Sequence, residues 1–330
     1  MGLFCFVAYA AVSAEPPSTR PSVVIKPTAF ETLLHPNCSH CDVEAARRST
    51  ELRPDDRVLC WVQVDADGYT NDGAVPLRFF LNKYRVLTDG WGVFVHDPDA
   101  GYARGFYPAG DEFHFHGWRN GVTVLRGKDG TLYSGLTGIA FEGPKKGSRL
   151  RPEPTLVTDW GFWRKRYPAS VAYMMYEKYQ PLELPAAPNE DSAKTRGPPD
   201  PRLAPDAQVL GVWDGKRARA YPIDALAKAG VIHDEVGGTP RIVLWSAATK
   251  TAAAYRQPWG TSGIQGDAGW LFHIDPASEA APFVDQREKL HWDITGRADG
   301  GGPKLIWMDC VHVKWFAWAA EYPDSSIYGK

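Results

Sequence analysis

Trp160-Gly161-Phe162-Trp163-Arg164-Lys165-Arg166-Tyr167-Pro168-Ala169-Ser170-Val171-Ala172-Tyr173 is answered 155 residues later by Trp315-Phe316-Ala317-Trp318-Ala319-Ala320-Glu321-Tyr322-Pro323-Asp324-Ser325-Ser326-Ile327-Tyr328. The two Trp, the Tyr-Pro pair, the Ser and the final Tyr match at that one offset without a gap. Within each segment Trp, Trp and Tyr stand at i, i+3 and i+7, one face of a helix that the Tyr-Pro pair ends. An aromatic packing seam explains that face with fewer assumptions than a ligand platform. Solenoid units run to about 20–50 residues, so a period of this length is that of a domain. The expectation is a β-rich α+β fold in two related tandem domains, each with its Trp-x-x-Trp helix near the C-terminal end.

Working outward, the chain of 330 residues exceeds the size at which one core stops growing, which agrees with two domains. Apolar residues make up 44% and charged residues 23%, and the formal net charge is -2, so there is no basic footprint for a nucleic acid. Thirteen Trp are unusual for this length, and buried anchors of β-rich cores account for them. The division is residues 1–14 as a signal peptide, 15–55 as an N-terminal segment, 56–180 as repeat one, 181–205 as an exposed Pro-rich linker and 206–330 as repeat two. The signal reading rests on the apolar run Gly2 to Ala11 followed by the small-residue exit Val12-Ser13-Ala14. It implies an exported protein, periplasmic or extracellular, with no transmembrane segment once the signal is removed.

The chemistry concentrates in His35-Pro36-Asn37-Cys38-Ser39-His40-Cys41-Asp42. Ser39 and Asp42 have the spacing of a capping box, so Cys38 and Cys41 flank the first turn of a short helix, where a thiolate is stabilised. Three readings stay open. The pair can be a structural disulfide, a redox-active Cys-x-x-Cys, or the core of a soft-metal site for copper or zinc with His35 as third ligand. Cys60 and Cys310 sit at non-corresponding positions and are expected to be free, buried and inert.

Alternation over Arg57 to Val64 predicts the first strand of repeat one, and residues 65–73 read as a turn-rich loop. Strands are expected at Trp91 to His96 and Glu112 to Trp118, with returning strands at Gly121 to Arg126 and Thr131 to Ser134 around Asp129-Gly130. His114 and His116, at i and i+2, would project from one strand face as weaker metal candidates. In repeat two, Pro222 before Ile223 to Ala229 and Gly230 after it mark a short helix.

Arg219-Ala220-Tyr221-Pro222, His233-Asp234-Glu235-Val236-Gly237-Gly238 and the strand after them resemble the bacterial domain of unknown function 3179 family. Thr137-Gly138-Ile139-Ala140-Phe141-Glu142-Gly143-Pro144 and the following Trp-x-x-Trp helix look like the distal part of the same domain, in a second, divergent copy. The resemblance covers roughly residues 56–328. It implies secretion and no particular activity. Many members place a Cys-Pro-x-Cys motif after the strand that here is Arg241 to Trp245. This chain has Ser246-Ala247-Ala248-Thr249 there and His96-Asp97-Pro98-Asp99 in the parallel place, so no thiol or metal role carries over.

Three functions remain. The first is thiol-redox or soft-metal chemistry at Cys38 and Cys41. The second is a non-catalytic binding or surface protein with aromatic ligand contacts. The third is a hydrolase or lyase using His233 as base and Asp234 as its orienting acid, which requires a turn at those adjacent residues. No phosphate loop, His-Glu-x-x-His motif or Gly-x-Ser-x-Gly elbow is present.

Overall fold

Both Trp-x-x-Trp segments are helices, and each begins where the edge strand of a four-stranded sheet ends. The computed structural model describes residues 31–34, 52–64, 70–81, 84–88, 90, 92–108, 110–173, 190–257, 271–301 and 304–330. The N-terminal half opens with β1 (Glu31–Leu34), β2 (Arg57–Val64), β3 (Thr70–Pro76), one helical turn α1 (Arg78–Leu81), β4 (Tyr84–Thr88), β5 (Val93–Asp97) and β6 (Tyr102–Phe106). It continues with β7 (His114–Arg119), β8 (Val122–Arg126), β9 (Leu132–Ser134), β10 (Ala140–Glu142), β11 (Pro152–Glu153), β12 (Thr155–Asp159), α2 (Trp160–Arg166) and β13 (Val171–Ala172). After α3 (Glu190–Lys194) the C-terminal half opens with β14 (Gln208–Trp213), β15 (Ala218–Pro222), α4 (Ile223–Ala229), β16 (Val231–Val236), β17 (Thr239–Ser246) and β18 (Thr251–Arg256). Then come β19 (Phe272–Ile274), β20 (Phe283–Asp285), β21 (His291–Trp292), β22 (Ile306–Trp307), β23 (Asp309–Lys314), α5 (Trp315–Glu321) and β24 (Ser326–Ile327). None of the described helices is long and apolar enough to cross a membrane.

The two helix-bearing sheets have the orders β12-β2-β3-β13 and β23-β14-β15-β24. In each the first three strands are antiparallel and the last, which follows the helix, joins parallel. Beside them lie β1-β4-β5-β6-β11 and β16-β17-β18-β22, and then β10-β9-β8-β7 and β19-β20-β21. Local hydrogen bonds repeat as well. Trp163 Nε1 donates to Ser170 Oγ at 2.7 Å and Trp318 Nε1 to Ser325 Oγ at 2.8 Å. Tyr173 N donates to Ala74 O and Tyr328 N to Ala220 O, both at 2.9 Å. Each helix stops because Tyr167 or Tyr322 leaves helical geometry before its proline, which disfavours the α conformation in the preceding residue. All four Trp of the two segments are buried, as a packing seam requires.

The halves share their cores. One apolar cluster joins Val95, Tyr102, Phe106, Leu125 and Tyr133 of the first half to Val313, Trp315, Trp318 and Tyr322 of the second. Polar contacts between the halves come in reciprocal form. Tyr167 OH donates to Thr295 Oγ1 at 3.0 Å, and Arg149 Nη2 donates to Tyr322 OH at 3.3 Å. Arg57, at the start of β2, reaches the β17–β18 turn at Thr249 O, while Lys314 N, beside the start of β14, donates to Ala100 O in the β5–β6 turn.

One expectation changes here. A strand begins at Thr70, inside the stretch that reads as loop, because the ladder from Val58↔Pro76 to Val64↔Thr70 satisfies its backbone. In the described part of the Pro-rich stretch, exposed residues such as Ala193, Lys194, Gly197 and Pro198 stand beside packed ones. Ser192 is fully buried, Arg196 lies 3.9 Å above the Phe316 ring, and Arg202 donates to Pro323 O and Ser325 O at 2.7 Å.

Candidate functional site

Beside the β5–β6 turn lies a cavity of about 450 Å³ lined from both halves, by Asp56, Arg57, Arg78, His96, Tyr102, Gln208 and His312 among others. The volume lies within the range of small-molecule sites. Each side chain is held there by local structure. Arg57 is fixed on three sides: Nη1 donates to Asp159 Oδ1 at 2.6 Å and to Thr249 O at 2.5 Å, and Nη2 donates to Val157 O at 3.1 Å. Arg78, buried at the start of α1, sits 3.6 Å from Asp56. The turn after β5 is shaped by the buried Asp97 carboxylate, which accepts from Asp99 N at 3.1 Å, Ala100 N at 3.0 Å, and Thr123 N and Oγ1 at 2.9 Å. That turn closes at Gly101, whose φ of 73° suits a residue without Cβ. In the turn after β17, Thr249 Oγ1 donates to Ser246 Oγ at 3.0 Å, so hydroxyls occupy both ends of the Ser-Ala-Ala-Thr stretch.

Two imidazoles face the cavity, and both are neutral near pH 7. Burial, with the Arg85 charge, lowers His96 to about 3; burial, with the Arg57 charge, lowers His312 to about 4. His312 Nε2 accepts from Ala252 N at 3.1 Å, so the neutral ring carries its proton on Nδ1 as a donor. His96 Nδ1 is buried without a hydrogen-bond partner. In the unfolded chain both titrate near 6.5. Their folded values are lower, so the unfolded state binds protons first as pH falls. Stability is complete above about pH 6.5 and declines below it, by about 1.4 kcal/mol per pH unit for a fully buried His96. Chemical denaturation between pH 7 and 5 checks this: a His96→Asn, His312→Asn double variant should show a shallower acid-side slope, and an unchanged slope would refute the assignment.

The sequence-derived candidates do not converge. Cys38, Cys41 and His35 lie outside the described residues. His114 pairs with Glu112 at 3.0 Å. The register of β7 shifts between Phe115 and Gly117, so the alternation that would put His114 and His116 on one face is interrupted at His116. His233 and Asp234 are consecutive residues of a straight ladder between β16 and β17, without the turn a dyad needs. His233 Nε2 meets the Phe272 backbone, 3.0 Å from N and 3.2 Å from O, while Asp234 Oδ2 accepts from Tyr221 OH at 2.7 Å and pairs with Arg219 at 2.8 Å. The two side chains serve different neighbours, which removes the geometric basis for a hydrolytic pair. Cys60 and Cys310 are free and buried, and burial raises Cys60 well above its usual value and Cys310 to about 12. Neither offers a thiolate. Among the described residues no group of three or more His, Cys, Asp or Glu is placed to hold a metal.

His312, Gln208 and Arg57 went unread as site residues because nothing local marks them; only His96 carried a signal, its place parallel to the family's cysteine motif. Comparison with curated proteins and with solved structures gave no match. One family model matches residues 122–325 in a single span that runs through both halves, more than half of the chain, and the chain therefore belongs to the family described as Protein of unknown function (DUF3179).

Proposed function

We propose that this chain is an exported binding protein, built from two copies of one β-rich fold, that holds a small carboxylate between the copies. The carrying observation is the cavity to which both halves contribute equivalent positions: Arg57 with Gln208, and Val157 with His312. Repeated sheet orders and the unchanged offset of 155 support the duplication. The apolar start and its small-residue exit support export. Among the lining residues two arginines face one aspartate, and Gln208 with the Nδ1–H of His312 adds neutral donors, a set suited to an acceptor-rich anion. The neutral imidazoles let the site hydrogen-bond such a ligand without carrying a large fixed charge when empty.

Calorimetric titration with citrate, succinate and lactate tests the reading. Saturable binding of at least one, weakened about tenfold or more in His312→Phe, is expected from the loss of a hydrogen bond to a charged group. No saturable binding across the three would overturn it.

A second reading is favoured by the inertness of the two core thiols. If the chain carries thiol or soft-metal chemistry, Cys38 and Cys41 supply it, with His35. The first strand, β1, ends at Leu34 beside β4 and against β7, the strand of His114 and His116. Copper or zinc held there would appear in elemental analysis and fall to background in Cys38→Ser. Free labelling of both sulfurs under oxidising conditions, with and without metal, would exclude a bridge and a chelate together.

A further inference from the structure

The hydrogen-bond register allows the halves to be compared at one place where they differ. Leu150 N donates to Gly138 O at 2.9 Å and Leu305 N to Gly296 O at 2.8 Å, which aligns Arg149 with Lys304. The ladders β2–β3 and β14–β15 align Val62 with Trp213, and the offset of 155 aligns Pro154 with Asp309 and Tyr167 with Tyr322. On the Tyr322 side the place is full. Trp213 stacks on Tyr322 with centroids 5.2 Å apart and 22° between planes. Arg149 lies 5.5 Å above the Trp213 ring and donates to Asp309 Oδ2 at 2.6 Å. On the Tyr167 side the indole is replaced by Val62 and the carboxylate by Pro154, while a cation remains as Lys304. A cavity of about 260 Å³ occupies the space, walled by Trp163, Tyr167, Tyr255 and Trp307, with Lys304 among its lining residues. A cavity of about 150 Å³ already admits benzene, so this one has room for a ring system with a substituent.

We propose that the cavity binds a flat aromatic carboxylate, its ring standing where Trp213 stands in the other half and its acid group meeting Lys304 as Asp309 meets Arg149. Two further observations agree. Arg297, next to Lys304 across a β-bridge, lies 5.2 Å from the Tyr167 ring centroid, so two cations adjoin the opening, beside the carboxylates of Asp72 and Asp293. Burial and the Arg297 charge lower Lys304, a strain that a bound anion would relieve. The site shares no lining residue with the larger cavity and stands or falls apart from it.

Fluorescence titration of the intact protein with 1-naphthoate and with neutral 1-naphthylmethanol tests the inference. Wild type should bind naphthoate saturably below about 1 mM. Val62→Trp, which refills the space, should abolish that binding while leaving citrate titration unchanged. Lys304→Gln should weaken naphthoate about tenfold or more and the alcohol less than about twofold. Absence of saturable naphthoate binding in wild type, unchanged binding in Val62→Trp, or an equal loss of acid and alcohol in Lys304→Gln would each overturn the proposal. Should Val62→Trp fail to fold, the acid-against-alcohol comparison in Lys304→Gln decides.

Discussion

Replacing Trp318 by Ala is expected to lower the free energy of unfolding by about 3–5 kcal/mol, and Trp163→Ala by a similar amount. Both rings are buried, at 2% and 0% exposure, and each indole N–H is spent on a serine of its own segment. Trp318 lies flat on Gly211: a Cβ built there would come within 2.3 Å of the ring, so the strand is shaped to that indole. Removing the ring strips contacts from Gly211, Tyr322 and the shared core at once, and close-packed strands cannot collapse into the space. It also strands the Ser325 hydroxyl. Urea denaturation monitored by far-ultraviolet circular dichroism measures the loss. A change below about 1 kcal/mol would mean that the aromatic face is not a core element.

Asp309→Ala should cost about 3–5 kcal/mol by a different route. Its carboxylate, at the first residue of β23, accepts from Arg104 at 2.7 Å and from Arg149 at 2.6 Å, two arginines of the other half. Arg104 is only 4% exposed in its side chain and also donates to Leu136 O. Without Asp309 a guanidinium stays buried with its charge uncompensated, which is far costlier than losing an exposed pair. Asp309→Asn keeps an acceptor and should lose less. Equal losses for Asn and Ala would show that charge is not what matters at this position.

Elements governed by local rules were legible. The helices around Trp160 and Trp315 declared themselves by spacing and by the proline that ends each, and Pro222 with Gly230 bounded α4. The strand Arg57–Val64 and the hairpin strands Val122–Arg126 and Leu132–Ser134 followed from alternation around Asp129-Gly130. Where alternation misled, a backbone event intervened. The bulge at His116 breaks the two-residue period, and Gly117, with a φ of 146°, permits it without a side-chain clash. No composition signal distinguishes such a bulge from a regular strand.

The adjacency of His233 and Asp234 suggested a pair, but consecutive residues of a ladder face opposite ways. Conversely, Arg57 and Thr249 are separated by 192 positions and meet in one hydrogen bond. Such a contact depends on how the sheets stack, and short-range pattern carries no information about it.

By itself the sequence determined the repeat of the Trp-x-x-Trp segment, the β-rich character and the family, since these depend on spacing and on residue types that act within a few positions. Only the tertiary structure decided which strands neighbour one another, that His96 and His312 face one cavity as neutral rings, and that Val62, Pro154 and Lys304 line another. The physical reason is that burial, dielectric environment and cavity shape are properties of surfaces assembled from distant residues, and they come into being only when those surfaces close on one another.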